Sequence, residues 1–188
     1  MLIRRLSESD GAEFRALRLR ALRESPEAFG SSYEETSALP PEHVTRWLRT
    51  DPAAPYDFFL GAFDPAMIGM VGFARESRLK TRHKGSIRSM YVAPEARGKG
   101  VGRALLERAI AEARRQPGLE QIALLVVSTN RGARRLYAAC GFKVYGVEPH
   151  ALKVGERYFD EDLMILHLTF CAAQGDAPEK PRPQQAAN

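Results

Sequence analysis

Residues 86–104 read SIRSMYVAPEARGKGVGRA, which predicts an apolar strand, a short turn and then a helix. The helix opens on glycines at alternate positions, Gly98, Gly100 and Gly102. A helix N-terminus carries unpaired N–H groups and a partial positive charge, and glycine leaves those groups unshielded. Three basic residues lie among the glycines: Arg97, Lys99 and Arg103. The stretch therefore predicts a site for a phosphate or pyrophosphate group.

Residue spacing excludes two familiar phosphate-binding loops. A P-loop needs a Ser or Thr directly after Gly-Lys, whereas Gly98-Lys99 leads into Gly100. A dinucleotide-binding turn needs the pattern G-x-G-x-x-G, but Arg103 or Leu105 stands where its third glycine would be. The pattern that remains is R-x-x-G-x-G, placed between a strand and a helix.

The pattern Arg97-x-x-Gly100-x-Gly102, after a strand that ends at residues 90–92, resembles the acetyl-CoA signature of the GNAT N-acetyltransferases. The resemblance covers roughly residues 2–170. It implies an α/β fold with a mixed, mostly antiparallel central sheet of about seven strands and helices on both faces. It also implies an acyltransferase whose acyl donor is acetyl-CoA.

The periodicity of apolar residues predicts the element order β-α-α-β-β-β-α-β-α-β-β. The predicted strands are 2–6, 56–63, 67–79, 86–92, 121–128, 142–148 and 157–170. The predicted helices are 10–24, 41–49, a third from the glycines to about 116, and a fourth from about 130 to 140. Residues 25–40 are predicted to form a loop, and residues 149–157 a long connection between the last two strands.

Two packing expectations and a domain boundary follow from the same patterns. The first helix turns three arginines mainly away from its apolar face: Arg15, Arg18 and Arg23. Trp47 is predicted to anchor the core. Residues 1–170 are predicted to form one domain, and residues 171–188, rich in proline and without aromatic residues, a disordered tail.

The resemblance implies how acetyl-CoA is held. The backbone of Met90, Tyr91 and Val92 would bind the pantetheine arm. The glycine loop would bind the pyrophosphate through six consecutive backbone amides, beside the positive charge of Arg97: Gly98, Lys99, Gly100, Val101, Gly102 and Arg103. The alternative is a buried strand and an ordinary turn, but a glycine inside a helix costs about 1 kcal/mol and an ordinary turn would not need three.

Two residues of the fourth predicted helix are candidates for the chemistry. Asn130 matches a family position that contacts the arm of the cofactor, but the same residue type serves equally well as a helix N-cap. Tyr137 follows two helical turns later and resembles the tyrosine proposed as general acid for the leaving thiolate. The alternative for Tyr137 is a buried aromatic side chain beside Ala133 and Cys140.

The acceptor side of the site is less defined. Tyr33, Glu34 and Glu35 lie in a loop that borders the acceptor in the family, and Phe29 and Tyr33 suggest that this loop packs inward. Glu34 and Glu35 are the first candidates for a general base. Glu76, predicted near the centre of a strand, is the second choice, and a surface charge is the alternative for each.

Composition narrows the function classes. The 188 residues include 28 Lys and Arg against 23 Asp and Glu, a net charge of +5 that is too dispersed to indicate nucleic-acid binding. Cys140 and Cys171 do not form a disulfide framework, and the four histidines lack metal-ligand spacing, so no metal is expected. No signal peptide or transmembrane stretch is expected, which indicates a cytoplasmic protein.

The leading hypothesis is an acetyl-CoA-dependent N-acetyltransferase that transfers its acetyl group directly to a primary amine in a ternary complex. The acceptor is a small molecule or a peptide amine, and the resemblance allows a homodimer. The main alternative is a CoA-binding sensor or interaction module without catalysis. Asn130 and Tyr137 argue for the enzyme, because a module that only binds CoA would not need a general acid.

Overall fold

A seven-stranded sheet and five helices make up the computed structural model, which describes residues 1–49, 51 and 53–168. The strands are β1 (Leu2–Arg5), β2 (Phe58–Phe63), β3 (Met67–Arg75), β4 (Lys84–Val92), β5 (Gln121–Val127), β6 (Lys143–Val154) and β7 (Arg157–His167). The helices are α1 (Gly11–Glu24), α2 (Tyr33–Ala38), α3 (Pro41–Arg46), α4 (Val101–Arg114) and α5 (Arg131–Ala139).

The sheet has the strand order β1-β2-β3-β4-β5-β7-β6. All neighbours are antiparallel except β4 and β5, which run parallel. This arrangement confirms the predicted mixed, mostly antiparallel α/β fold. The single parallel pair is possible because α4 crosses over between its strands, as a parallel connection requires.

Helices cover both faces of the sheet, each over its own apolar core. On one face, Leu105 and Leu106 of α4 pack with Leu60 and Phe73 of the sheet. On the other face, α1 and α3 pack against the sheet through five side chains: Phe14, Leu17, Val44, Phe59 and Met70. Strand β2 serves both cores because successive side chains of a strand point to opposite faces.

The predicted loop at residues 25–40 is wrong in part, because it contains α2. Ser32 and Glu35 form a reciprocal capping box there: the Ser32 hydroxyl accepts a hydrogen bond from the Glu35 amide at 3.1 Å. The Ser32 amide donates to the Glu35 carboxylate at 3.0 Å. This local exchange of hydrogen bonds stabilises a six-residue helix whose apolar periodicity is too short to be recognised.

The predicted long connection at residues 149–157 is also wrong, because β6 and β7 form one extended hairpin. Strand β6 continues to Val154, and its pairing shifts register between Glu148 and Leu152. His150 lies in this irregular stretch with φ 54°, and its ring stacks on Tyr158 at 4.6 Å between centroids. The polar residues and the proline of this segment obscured the strand pattern.

Other boundaries move by a few residues. Strand β3 ends at Arg75 instead of continuing to residue 79, and α3 ends at Arg46 instead of residue 49. Trp47 is 36% exposed and lies at the edge of the core, where its ring meets Phe14 edge-on at 6.5 Å. It is therefore not the buried anchor that the sequence predicts. The predicted tail, residues 171–188, lies outside the described residues.

Candidate active site

A cleft opens in the sheet where β4 and β5 separate. The two strands pair at only three positions, from Lys84 with Gln121 to Ser86 with Ala123. Beyond these pairs the strands diverge, and α5 and the start of α4 line the gap. The resulting cleft has a volume of about 520 Å³.

An irregularity in β4 marks the point of divergence. Between Arg88 and Tyr91 the pairing of β4 with β3 shifts register, so that β4 carries one extra residue. Ser89, in this bulge, has φ 54°, a conformation that costs free energy for a residue other than glycine. The Ser89 hydroxyl accepts a hydrogen bond from Arg18 of α1 at 3.2 Å. The bulge therefore directs β4 away from β5 and connects it to α1.

The edge of β4 offers backbone groups to the cleft. Ala93 donates its N–H to the Ile68 carbonyl of β3 at 2.9 Å. Because adjacent residues in an antiparallel strand turn their backbone groups to opposite sides, Val92 turns its N–H and C=O toward the cleft. The Val92 carbonyl accepts a hydrogen bond from Arg97 Nε at 2.9 Å. Val92 thus offers the kind of exposed strand edge that an extended amide chain can bind.

The glycine loop presents a run of free backbone N–H groups. Gly98 and Gly100 have φ of 73° and 79°, and a Cβ atom at either position would meet open space. Within the described residues, the backbone amides of residues 98–103 have no hydrogen-bond acceptor from the protein. Six unpaired amides at the start of a helix form a strong site for an anion.

Almost all the predicted donor-site residues line the cleft. They are Met90, Tyr91, Val92, Arg97, Gly98, Gly100, Val101, Gly102, Arg103, Asn130 and Tyr137. Lys99 does not line it, and its side chain is exposed. Arg103 points its guanidinium at Glu107, with Nε 2.8 Å from the carboxylate.

Tyr137 lies in the wall of the cleft and is 6% exposed. Burial raises the pKa of its phenol to about 12. Within the described residues its hydroxyl has no hydrogen-bond partner, and its ring meets Phe142 edge-on at 6.1 Å. Tyr137 is therefore a protonated phenol at neutral pH, with its proton available to a ligand in the cleft.

Helix α5, which carries Tyr137, is fixed at its N-terminus. The Asn130 side chain accepts a hydrogen bond from the Ala133 amide at 3.1 Å, so Asn130 is a helix N-cap as well as a residue of the cleft wall. Arg134 lies 2.7 Å from Asp162, a carboxylate of β7 that is 2% exposed. The Ser128 hydroxyl also bonds Asp162 at 2.5 Å. These contacts set the position of α5 against the sheet.

The predicted acceptor residues lie apart from Tyr137, in another surface cavity. Tyr33, Glu34 and Glu35 line a space of about 650 Å³ together with residues 152–155. Tyr33 accepts a hydrogen bond from Arg23 at 2.6 Å. The Ser32 hydrogen bonds lower the pKa of Glu35, which weakens that carboxylate as a base. Glu76 is exposed and follows the end of β3, so it does not lie near the centre of a strand as expected.

A further cavity of about 820 Å³ adjoins the cleft and shares three residues with it: Ala28, Phe29 and Leu125. Eight charged residues that the sequence did not indicate as site residues line it: Arg18, Arg46, Arg49, Asp51, Asp57, Arg88, Glu148 and Glu161. Arg18 is 6% exposed, so the prediction that it turns away from the apolar face of α1 is wrong. Helical periodicity could not indicate the burial of Arg18, because this burial comes from the bulge of β4, which lies over this part of α1.

The sequence matches the Acetyltransferase (GNAT) family over residues 19–142. The chain belongs to this family. The match begins within α1 and continues past the end of α5, and so includes the glycine loop, β4 and Tyr137. GNAT enzymes use acetyl-CoA as their acyl donor, and this protein is an acyltransferase of that type.

Curated relatives and solved structures agree with this membership. The chain is 33% identical to phosphinothricin N-acetyltransferase from Alcaligenes faecalis over 140 residues, 71% of this chain and 68% of the relative. It is 41% identical to the L-methionine sulfoximine/L-methionine sulfone acetyltransferase of Salmonella typhimurium over 86 residues, 45% of this chain and 49% of the relative. The match therefore spans about half the length of this second relative.

Two solved structures superpose over most of the chain. The acetyltransferase of GNAT family from Streptococcus pneumoniae has a TM-score of 0.81 at 24% identity, covering 89% of this chain and 99% of that one. The yncA protein of Salmonella typhimurium, solved with its cofactor acetyl-CoA, has a TM-score of 0.78 at 25% identity, covering 94% and 99%.

The cleft fits the GNAT donor on its own geometry. The free amides at residues 98–103 match a pyrophosphate, and the absence of side chains at Gly98 and Gly100 leaves the loop open to it. Within residues 1–49, 51 and 53–168, no helix is both long enough and apolar enough to cross a membrane. In the same part of the chain, no three His, Cys, Asp or Glu side chains come together as a metal site.

Proposed function

We propose that this GNAT enzyme transfers an acetyl group from acetyl-CoA to the primary amine of a small molecule, by direct attack in a ternary complex. The observation that carries the proposal is the junction of two cavities. The 520 Å³ cleft and the 820 Å³ cavity share Phe29 and Leu125 at the point where β4 and β5 separate. A donor in the cleft and an acceptor in the cavity would meet there.

The chain's own groups would hold the donor along the cleft. The amides of residues 98–103 would bind the pyrophosphate, with Arg97 adding positive charge. Within residues 90–92, the backbone groups of Val92 that face the cleft would bind the pantetheine arm as an additional strand would, and Asn130 lies in the cleft wall. When bound, acetyl-CoA supplies an activated thioester carbonyl.

Tyr137 would act as the general acid. Its hydroxyl would give its proton to the leaving sulfur as the carbon–sulfur bond breaks and the acceptor nitrogen bonds the acetyl carbon. The proton that the acceptor amine then releases would restore the phenol by way of water. With a pKa of about 12, the Tyr137 phenol would enter the reaction protonated.

A small acceptor is favoured over a peptide by two observations. The acceptor cavity, at about 820 Å³, lies within the size range of small-molecule sites. The curated relatives are named for phosphinothricin and for L-methionine sulfoximine and sulfone, which are small molecules that carry an amine.

Calorimetric titration and a free-thiol assay together test the proposal. We expect acetyl-CoA to bind the purified protein and free CoA to appear only when a reactive amine is added. Initial rates measured over both substrate concentrations should give intersecting lines, as direct transfer in a ternary complex requires. Acetyl-CoA binding without CoA release, across small amines and peptides with free N-terminal amines, would support the sensor instead.

A covalent acetyl-enzyme would contradict direct transfer. Intact-mass spectrometry after incubation with acetyl-CoA alone should show no added acetyl group. Parallel initial-rate lines together with an acetylated enzyme would overturn the ternary-complex mechanism while leaving the acetyltransferase activity in place.

A further inference from the structure

The acceptor cavity contains a buried arginine without a carboxylate partner. Arg18 of α1 is 6% exposed and lines the cavity. Its guanidinium donates to two hydroxyls, Ser89 at 3.2 Å and Ser31 at 3.4 Å, and lies 4.9 Å from the centre of the Phe29 ring. Its Nε is buried and has no hydrogen-bond partner among the described residues. No carboxylate of those residues lies within 4.0 Å of it.

The surroundings of Arg18 increase its need for an anion. Burial, and to a smaller extent the positive charge of Arg88, together lower the pKa of Arg18 to about 10. Arg88 also lines the cavity, with its guanidinium 3.4 Å from Asp57. A buried cation without a counter-ion is unfavourable, so an anionic ligand at this position would be strongly stabilised.

A pair of carboxylates lines another part of the same cavity. Glu148 of β6 and Glu161 of β7 are paired across the two strands. Burial, and then the negative charge of Glu148, raises the pKa of Glu161. Two carboxylates held together in this way favour a cationic group between them. The cavity therefore contains both a buried cation without a carboxylate partner, Arg18, and a pair of neighbouring carboxylates, Glu148 and Glu161.

We propose that the acceptor is a zwitterionic amine of the amino-acid class, whose anionic group binds Arg18 and whose ammonium group enters beside Glu148 and Glu161. This inference rests on the proposed function and names the substrate class of the same site. Arg18 is then a specificity-determining residue. An amine without an anionic group would leave Arg18 without a partner, so the site discriminates against such an acceptor.

The test compares amino acids with their carboxamides as acceptors. The probes are L-methionine sulfone and a panel of other L-amino acids, each beside its carboxamide, which keeps the amine and removes the anion. We expect wild-type kcat/KM to be about 100-fold higher for the best acid than for its carboxamide, as expected for loss of a buried charged hydrogen bond. In Arg18→Met this ratio should fall below about fivefold, chiefly through a higher KM for the acid, and Arg18→Lys should restore part of it.

Matched controls separate specificity from folding. Arg15→Met removes another arginine of α1, one that donates to the Ser37 and Leu39 carbonyls and lies outside the cavity. It should leave the acid-to-carboxamide ratio unchanged. Calorimetric titration of acetyl-CoA should give the same Kd for wild type and Arg18→Met, and Arg18→Lys keeps the test open if Arg18→Met does not fold.

The outcomes distinguish this inference from the proposed function. Three results would each overturn the inference while the acetyltransferase proposal stands. The first is equal use of acids and carboxamides by the wild type, the second is acceptance of only peptides or amines without an anionic group, and the third is a folded Arg18 variant that keeps the wild-type ratio. If no amine of any kind releases CoA, the acetyltransferase proposal itself fails, and this inference fails with it.

Discussion

Tyr137 and Tyr91 are both buried phenols beside the donor cleft, yet their surroundings differ. The Tyr91 hydroxyl donates to Glu24 of α1, and burial together with that carboxylate raises its pKa to about 12. Burial alone raises the pKa of Tyr137 to a similar value. Tyr91 thus donates its proton within the protein, whereas the Tyr137 hydroxyl has no hydrogen-bond partner among the described residues.

Replacing Tyr137 by Phe should separate chemistry from binding. We expect Tyr137→Phe to lower kcat by about 100-fold or more, because general acid catalysis contributes effects of that size. The Kd for acetyl-CoA should change by less than about threefold, since the ring that packs in the cleft wall is retained. Steady-state kinetics and calorimetric titration measure the two quantities.

Tyr56→Phe is the matched control for Tyr137→Phe. Tyr56 is 38% exposed and lies outside both the donor cleft and the acceptor cavity, so loss of its hydroxyl should leave kcat unchanged. A Tyr137→Phe enzyme with wild-type kcat would show that another group, or water, protonates the leaving sulfur.

The sequence predicted which residues line the cleft where their position follows from a local pattern. The glycines and Tyr137 are recognisable because their spacing along one loop and one helix is enough to place them. Arg18 and Glu161 were missed because their surroundings come from distant parts of the chain. A charged residue on an amphipathic helix is predicted to face solvent, and only the fold shows that the bulge of β4 covers Arg18.

At the scale of the elements, the glycine loop combines positive φ angles with a surface of free backbone amides. Its positive φ angles are needed for the chain to turn from β4 into α4 while six amides stay free. The protein offers a comparison, because Gly118 has φ 70°, close to the 73° of Gly98, but ends the segment after α4. The two glycines share the strain and differ in position relative to the cleft.

Alanine substitution at these two glycines tests the loop. Gly98→Ala and Gly118→Ala should each lower the free energy of unfolding by about 1 kcal/mol, because both force a side chain into the left-handed region. Only Gly98→Ala should raise the Kd for acetyl-CoA, by about tenfold, since its methyl group would stand in the open space above the amides. Urea denaturation and calorimetric titration provide the measurements, and equal Kd values for the two variants would exclude the loop as the donor site.

Elements with strong periodicity were predicted, and elements fixed by capping or pairing were not. Helices α1 and α4 each show an apolar stripe over several turns, so their existence followed from the sequence. Helix α2 has six residues and depends on the capping box of Ser32 and Glu35. The second half of β6 depends on its partner β7, whose register the sequence does not reveal.

At the scale of the whole molecule, an ion pair connects β1 to the residue that directly precedes α1. Arg4 of β1 makes two hydrogen bonds to Asp10, at 2.6 and 2.7 Å, and Asp10 also accepts from the Ser7 amide at 2.8 Å. The Arg4 hydrogen bonds, followed by that of Ser7, lower the pKa of Asp10 from 3.8 to about 2. The Asp10 carboxylate therefore stabilises the folded state when it is ionised.

This ion pair predicts a pH-dependent difference in stability. Asp10→Asn should lower the free energy of unfolding at pH 7 by about 1 to 2 kcal/mol, after allowance for solvent screening at Arg4. Because the pKa is lower in the folded state, the difference should be constant above pH 4 and should shrink as the pH falls from 4 toward 2.

Urea denaturation at a series of pH values measures the effect of Asp10→Asn. Asp64→Asn is the control, since Asp64 is exposed and lies 3.9 Å from the N-terminal amine. It should change stability little at any pH. A difference between wild type and Asp10→Asn that stays constant down to pH 2 would show that Asp10 acts through something other than its charge.

The sequence predicts the fold class of the protein but not the order of the strands in its sheet. Seven strands follow from counting the predicted elements, and helices on both faces follow from the family resemblance of the glycine loop. The order in which β5, β7 and β6 lie side by side does not, because it depends on contacts between residues far apart in sequence. The early separation of β4 from β5, which creates the cleft, has no sequence signal of its own.

That short contact between β4 and β5 has a dynamic consequence. Three residue pairs join the central strands β4 and β5, so the sheet is weakly connected beyond them, and a bound donor would bridge the gap between the two strands. We expect the Val92 amide to exchange its hydrogen for deuterium rapidly in the free enzyme and at least tenfold more slowly with saturating acetyl-CoA, as followed by NMR. The Tyr91 amide, which faces β3, should be protected in the free and in the acetyl-CoA-bound enzyme. The donor would then complete the hydrogen bonding of the sheet as well as serve as a substrate.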